Sequence, residues 1–140
     1  MAALTEERPI DRVGSQAIPD RLMRPLAASI KAIKGGIAAN VAGYARPGIT
    51  ATGHKMFGVF DETVDNTAGA AGAKSARVIR GVFTFNNSSA GDLIAQADVG
   101  NNCYVVDDQT VAKTDGTGTR SIAGVIEGFK DGLVLVRVGG

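Results

Sequence analysis

Residues 75–85 read Ser-Ala-Arg-Val-Ile-Arg-Gly-Val-Phe-Thr-Phe, and this stretch decides the fold class. β-branched and aromatic residues fill six of its eleven positions, and such side chains suit a pleated, half-buried surface. Gly81 interrupts the run and predicts a bulge within one continuous strand. The whole chain of 140 residues shares the bias, with 24 Val plus Ile against six Leu. We therefore predict an all-β protein.

Shorter strand patterns separated by turn residues lie on both sides of this stretch, as is typical of a sandwich or barrel. Asp131-Gly132 predicts a two-residue hairpin turn, and Gly43 marks a second turn. The other predicted strands are residues 29–34, 37–40, 44–46, 56–60, 103–106, 122–127 and 133–138.

One segment leaves a helix open as an alternative. Residues 26–39 are rich in Ala, which favours helix, although the pair Gly35-Gly36 argues against it. Residues 93–99 predict a short helical turn. We therefore expect a small β-barrel or β-sandwich-like body with at most one or two short helical turns.

Composition changes near residue 27. The first 26 residues hold three of the four prolines, four of the nine arginines and one of the 19 glycines. Each proline removes a backbone donor and disfavours helix before it. We predict an extended N-terminal arm over residues 1–26 that cannot fold alone and a β-rich domain over residues 27–140, with a plain disordered tail as the alternative to the arm. The candidate contact residues of the arm are Arg8, Ile10, Arg12, Val13, Ile18, Arg21, Leu22 and Arg24.

Charge and residue counts exclude several functions. A formal net charge of +1 does not build the basic field that nucleic-acid binding needs. No apolar run approaches the roughly 20 residues that span a bilayer. With one Cys and one His, the chain lacks the four ligands of a structural zinc site. We expect Cys103 to be a buried apolar residue and His54 to be a solvated loop residue.

Two sequence motifs that could indicate a functional site have a simpler structural explanation. Residues 69–75, Gly-Ala-Ala-Gly-Ala-Lys-Ser, differ from a phosphate-binding loop because Ala73 separates the glycine from the lysine. The carboxylates of residues 61–65 and of Asp107-Asp108 are close in sequence, and turn chemistry explains both clusters. We therefore predict no catalytic, cofactor or metal site and no enzymatic activity.

Several stretches from about residue 30 to the C-terminus resemble the tailed-phage head decoration proteins, also called capsid cement proteins. The resemblance implies a small β-tulip-type virion component that binds the outside of an expanded capsid and locks neighbouring major capsid subunits together. It implies no catalytic residue, and the first 26 residues lie outside it. The stretches include residues 34–40 (Lys-Gly-Gly-Ile-Ala-Ala-Asn), 43–48 (Gly-Tyr-Ala-Arg-Pro-Gly), 64–78 (Val-Asp-Asn-Thr-Ala-Gly-Ala-Ala-Gly-Ala-Lys-Ser-Ala-Arg-Val), 104–112 (Tyr-Val-Val-Asp-Asp-Gln-Thr-Val-Ala) and 122–127 (Ile-Ala-Gly-Val-Ile-Glu).

The same resemblance suggests a partner and a location. The partner would be the major capsid protein, the assembly a homotrimer with a dimer as the alternative, and the location the outer capsid surface of the virion after synthesis in the bacterial cytoplasm. We expect the arm to add a strand to an exposed sheet edge of a capsid subunit, while its arginines pair with capsid carboxylates. The competing class is a ligand- or carbohydrate-binding β-module, which commonly uses exposed aromatic residues; this chain has no Trp and two Tyr.

Overall fold

A computed structural model describes residues 21–139 of the chain. These residues form twelve β-strands and two 3-10 helical turns, Ala90–Asp92 and Gln96–Asp98. They contain no helix that is long and apolar enough to cross a membrane. The strands are β1 (Arg21–Pro25), β2 (Ile30–Ala32), β3 (Ile37–Val41), β4 (Tyr44–Pro47), β5 (Lys55–Phe60), β6 (Val64–Asn66), β7 (Ser75–Ile79), β8 (Gly81–Phe85), β9 (Asn102–Val105), β10 (Val111–Ala112), β11 (Ile122–Lys130) and β12 (Leu133–Val138).

The strands are arranged in three antiparallel sheets. The first sheet has the order β1-β7-β5-β3-β4, the second has the order β10-β9-β11-β12-β8, and β2 pairs with β6 in the third. A bridge between Asn86 and Thr110 brings the end of β8 close to β10, so the two edges of the second sheet meet at one corner. The all-β prediction is confirmed, and the sheets of residues 21–139 do not close into a barrel.

Two apolar cores are built from alternating residues of the first sheet. Val59 of β5 packs in one core with side chains of the second sheet, such as Val136 of β12. Its neighbour Phe60 packs in the other core with Ala32 of β2 and against Val64 of β6. Successive side chains of a strand point to opposite faces, so the first sheet is the middle layer between the second and third sheets.

The stretch at residues 75–85 is divided between the two large sheets. Its first half, β7, pairs with β1 and β5 in the first sheet, whereas its second half, β8, pairs with β12 in the second. The prediction of one continuous strand with a bulge at Gly81 is therefore wrong. Both halves carry the same local strand pattern, and the sheet that accepts each half is decided by partners distant in sequence.

The hairpin turn predicted at Asp131-Gly132 and the turn predicted at Gly43 are both confirmed. Ala42 and Gly43, between β3 and β4, have φ angles of 53° and 90°, and Asp131 and Gly132, between β11 and β12, have φ angles of 53° and 78°. Positive φ at both central residues is the turn geometry whose twist matches the flanking strands. Residues 26–39 contain β2 and β3 instead of a helix, and the 3-10 turn at residues 96–98 lies within the predicted helical turn. The short strands β6 and β10 were not predicted.

Residues 21–26 belong to the first sheet. Arg21–Pro25 pair with residues 75–79 as the edge strand β1, and Leu26 is fully buried in the second core. The arm boundary expected after residue 26 therefore falls inside the β domain. Pro25 obscured this strand in the sequence, but an edge strand tolerates a proline that cannot donate to a further neighbour.

Candidate interaction surface

Edge strand β1 contains those of the predicted contact residues whose positions the structure describes. Its exposure alternates, and Met23 on its outward side is 58% exposed. An edge strand also presents backbone N–H and C=O groups that no neighbouring strand uses. The structure brings Arg21, Leu22 and Arg24 together on β1, whereas Arg8, Ile10, Arg12, Val13 and Ile18 lie outside the described residues.

Two arginines converge on Asp61 beside β1. Arg77 Nε lies 2.8 Å from Asp61 Oδ2, and Arg21 Nη1 lies 3.8 Å from the same oxygen. The hydrogen bond from Arg77, helped by the charges of Arg77 and Arg21, lowers the pKa of the Asp61 carboxyl below its ordinary value. Because the Arg21 contact is the longer one, its guanidinium retains donors for a carboxylate on another molecule.

Arg24 is used within the domain. Its guanidinium carbon lies 4.2 Å from the centroid of the Phe57 ring on β5. Its Nε is buried and has no hydrogen-bond partner. Because one face of the guanidinium covers an aromatic ring, Arg24 is less available to another molecule than Arg21.

A groove of about 620 Å³ lies where β5 and β11 begin. One wall is apolar and includes Ile122, whose side chain is 49% exposed. The groove is named here the His54 groove, and the main side chains that line it are His54, Lys55, Met56, Tyr104, Arg120 and Ile122.

The loop containing His54 is held by Ser121. The backbone N–H of His54 donates to Ser121 Oγ at 3.0 Å, and this hydroxyl donates to the carbonyl oxygen of Ala51 at 2.6 Å. The Ser121 hydroxyl therefore joins two loops. His54 lies in a loop as predicted, but it is half-buried, and its Nδ1 is buried without a hydrogen-bond partner.

Arg120 places a fixed positive charge in the wall of the His54 groove. Its side chain is only 18% exposed, and Nη1 lies 3.2 Å from Asp92 Oδ1. The same nitrogen donates to the carbonyl oxygen of Thr114 at 3.1 Å, whereas Nε is buried without a partner. Hydrogen bonds from Thr114 and Arg120 lower the pKa of Asp92, so the carboxylate that anchors this guanidinium stays charged.

A second groove, of about 430 Å³, surrounds Asp108 and is named here the Asp108 groove. Ile33 and Leu133 supply apolar wall, and Lys34 lies on its rim. Burial, together with the charge of Asp107, raises the pKa of Asp108 above its ordinary value.

The predicted turn chemistry is confirmed for Asp65 and Asp107, whereas Glu62 bonds to the backbone of β7. Glu62 Oε2 accepts the backbone N–H of Arg77 at 2.7 Å, Asp65 Oδ1 accepts that of Thr67 at 2.9 Å, and Asp107 Oδ1 accepts that of Gln109 at 2.9 Å. Within residues 21–139, no group of three or more His, Cys, Asp or Glu side chains is placed to hold a metal ion.

Cys103 lies in the first core. Its side chain is fully buried, and burial raises the pKa of its thiol to about 12. Its predicted role as a buried apolar residue is confirmed.

Sequence patterns did not indicate Lys55, Arg120 or Asp108 as site residues. The His54 groove joins residues 53–56 to residues 120–123, and the Asp108 groove joins residues 33–36 to residues 84–86 and 108–109. No local sequence motif identifies the residues that line a groove, because they become neighbours only when the strands pair.

No family model matches the chain, and comparisons with curated proteins and with solved structures likewise gave no match. Function is therefore inferred from the surfaces described above and from the resemblance noted from about residue 30 to the C-terminus.

Proposed function

We propose that this protein is a structural virion component that binds the outer surface of a bacteriophage capsid and bridges its major capsid subunits. The observation that carries the proposal is the position of β1. β1, which follows residues 1–20 in the sequence, is an edge strand and bears the half-exposed Arg21 and the exposed Met23. The resemblance to capsid cement proteins, from about residue 30 to the C-terminus, supports the same assignment.

In this proposal, residues 1–20 extend from β1 and add a strand to a sheet edge of a capsid subunit. Backbone hydrogen bonds supply affinity in such augmentation, and alternate side chains supply register. Arg8 and Arg12 pair with capsid carboxylates, while Ile10 and Val13 fill apolar contacts. Many equivalent weak contacts around one shell add up through multivalency.

A homotrimer is the assembly we propose, and the thin second core supports self-association. Four of its seven buried residues are Ala, which bury little area each. Small domains with limited cores commonly gain stability by oligomerising. Light scattering of the full chain at micromolar concentration should give three times the chain mass of 14.3 kDa. A monomer in solution and on the capsid would overturn the trimer.

The proposed role involves no enzymatic activity. The Ser121 hydroxyl and the carboxylates of residues 61–65 are engaged in local hydrogen bonds. The alternative of a carbohydrate-binding module is less well supported. Phe85, which lines the Asp108 groove, is 3% exposed and offers no stacking platform, and Tyr104 is the single Phe, Tyr or Trp residue among those that line the His54 groove.

Co-sedimentation tests the proposal. The full chain is mixed with expanded heads, or with procapsids, of the phage whose genome encodes it. We expect it to pellet with expanded heads only. An Arg21→Glu variant should bind more weakly, whereas Arg137→Glu should bind normally. Arg137 is the matched control for Arg21. The two side chains are 49% and 47% exposed, respectively, and each makes one ion pair of 3.8 Å. Absence of the chain from the pelleted heads would refute the proposal.

A further inference from the structure

We infer that copies of this protein associate by pairing edge strand β1 of one copy with edge strand β8 of the next, in antiparallel orientation. The inference rests on the homotrimer of the proposed function and names the surfaces that form it, but it does not depend on capsid binding. Three properties of the described residues support it: the unpaired backbone groups of the two edges, the side chains exposed beside them, and the charge of β1.

β8 is the least protected edge of the two large sheets. Its five residues are Gly-Val-Phe-Thr-Phe and include no charged residue and no proline. Charged residues, prolines and short strands are the usual means by which proteins prevent pairing at an edge. β1 and β4 each contain an arginine and a proline, and β10 has only two residues, both buried. β8 is therefore the edge at which a further strand pairs most readily.

The free side of β8 carries unpaired backbone groups. The N–H of Asn86 donates to the carbonyl oxygen of Gln109 at 2.8 Å, and its own carbonyl oxygen accepts from the N–H of Val111 at 3.0 Å, so Asn86 faces away from β12. Residues two apart in a strand direct their backbone groups to the same side. Thr84 and Val82 therefore also face away from β12, and within residues 21–139 no strand lies on that side of them.

β1 shows the same alternation. The N–H of Leu26 donates to the carbonyl oxygen of Lys74 at 2.9 Å, toward β7. Residues at odd spacing from Leu26 therefore direct their backbone groups away from β7, and these are Arg21, Met23 and Pro25. Because a proline has no N–H, the free donors of this edge lie at Arg21 and Met23.

The exposed side chains of the two edges coincide with their free backbone groups. Met23 is 58% exposed and Val82 is 47% exposed, and Arg21 and Thr84 are also exposed. If Met23 lies opposite Val82 in an antiparallel pair, Arg21 lies opposite Thr84, and each pair exchanges both of its N–H···O bonds. Opposed residues project to the same face, so Met23 and Val82 cover each other's apolar surface.

The charge of β1 favours β8 as its partner over a second β1. Pairing β1 with β1 would bring two arginines from each copy to one interface, whereas β8 is uncharged. Like charges across paired strands are destabilising. In a β1–β1 register centred on Met23, Arg21 would also lie opposite Pro25, which cannot donate to it. Because β1 and β8 are different edges, the contact is heterologous and repeats around a ring of copies, as a homotrimer requires.

Disulfide formation between two single variants tests the register. Met23→Cys and Val82→Cys are prepared separately in the full chain, in which Cys103 is fully buried. Opposed Cα atoms in this register lie about 5.5 Å apart, which suits a disulfide. The two variants are mixed in urea, refolded together and mildly oxidised. We expect a covalent dimer that contains one copy of each variant, whereas either variant alone should remain a single chain on a denaturing gel.

Leu93→Cys, at a position that is 49% exposed and outside both edges, is the control and should link to neither variant. A covalent dimer of Met23→Cys alone would show β1–β1 pairing, and one of Val82→Cys alone would show β8–β8 pairing. Either result, or a mixed dimer no more abundant than that formed with Leu93→Cys, would overturn the inference.

Light scattering separates this interface from the trimer itself. Val82→Lys places a charge on the free edge of β8 and should reduce the particle mass from three chains to one, with the β circular-dichroism signal unchanged. Ile122→Lys, at a position 49% exposed against 47% for Val82, is the matched control and should remain trimeric. A trimer of Val82→Lys would overturn the strand pairing and leave the proposed trimer intact, whereas a monomeric unmodified chain would overturn both. Neither experiment uses capsids, so capsid binding is tested separately by co-sedimentation.

Discussion

The guanidinium of Arg24 on β1 lies over the ring of Phe57 on β5, although β7 runs between these two strands. Arg24 pairs with Ala76 in the β1–β7 register, and this small side chain leaves room for the guanidinium to pass. The contact joins the edge strand to the third strand of the sheet.

Removing this contact should destabilise the domain. We expect Arg24→Ala to lower the free energy of unfolding by about 1 kcal/mol, because it removes a partly buried cation–π pair. Arg21→Ala removes only a half-exposed ion pair and should cost less than about 0.5 kcal/mol. Urea unfolding followed by circular dichroism measures both values. Equal losses in the two variants would contradict a special role for the Arg24–Phe57 pair.

The N-terminal limit of the folding unit lies before β1. Deleting residues 1–20 should leave the β circular-dichroism signal intact and weaken capsid attachment, whereas deleting residues 1–26 should prevent stable folding. Leu26→Ala alone should cost about 2–5 kcal/mol, as is typical of a fully buried leucine. Leu93→Ala, at a position that is 49% exposed, is the control and should cost much less. A stable chain beginning at residue 27 would show that β1 is dispensable.

Gly58 should not tolerate a side chain. Its φ is +153°, and a Cβ there would overlap the carbonyl oxygen of Ile79 on the neighbouring strand. We expect Gly58→Ala to cost at least about 2 kcal/mol of stability through strain and displaced backbone. Gly132→Ala is the control, because its φ is +78° but no atom lies within 4 Å of the added Cβ. Gly132→Ala should lower the free energy of unfolding by about 1 kcal/mol, which is the effect of left-handed φ alone. Equal losses would exclude the close approach to Ile79 as the cause.

Asp108 should make stability depend on pH. Its pKa is raised by burial and by Asp107 from the ordinary value of 3.8, so the folded state binds this proton more tightly than the unfolded state. Its stabilising effect is complete below pH 3.8 and is lost as the pH rises through the folded pKa. Asp108→Asn imitates the protonated form and should therefore be more stable than the unmodified chain at neutral pH, with the gain vanishing in acid.

Asp61 provides the control of opposite sign. Its pKa is lowered by the hydrogen bond from Arg77, so its contribution is present above the ordinary pKa of 3.8 and is lost as the pH falls through the folded pKa. Asp61→Asn should destabilise the chain at neutral pH, and the difference should shrink in acid. Urea unfolding over a pH series measures both effects. A loss of stability in Asp108→Asn at neutral pH would count against the burial of its charge.

The thiol of Cys103 should report unfolding. Its pKa is raised to about 12 by burial, and no part of its side chain is exposed. A thiol reagent at mildly alkaline pH should leave the folded protein unmodified and react at once in urea. Cys103→Ser should still bind capsids, because this side chain lies inside the first core. Rapid labelling of the folded protein would contradict the packing described for β9.

Residues 42–43 and 131–132 illustrate what the sequence by itself determined. Turn geometry depends on the backbone freedom of two adjacent residues, so the hairpins β3–β4 and β11–β12 were predictable from local chemistry. The excess of Val and Ile determined the all-β class for a similar reason, since strand preference is carried residue by residue. Stretches of sequence suggested the proposed capsid role, and the position of β1 at the edge of the first sheet then gave it structural support.

The tertiary structure decided how the strands are combined. Residues 75–85 look like one strand, but β7 and β8 enter different sheets at Arg80 and Gly81, because pairing depends on β1, β5 and β12 far along the chain. β1 itself was hidden by Pro25 and by arginines that become favourable only beside Asp61 and Phe57. The His54 groove likewise exists only after residues 53–56 meet residues 120–123. Contacts between distant residues set register and grooves, and such contacts leave no local pattern in a single sequence.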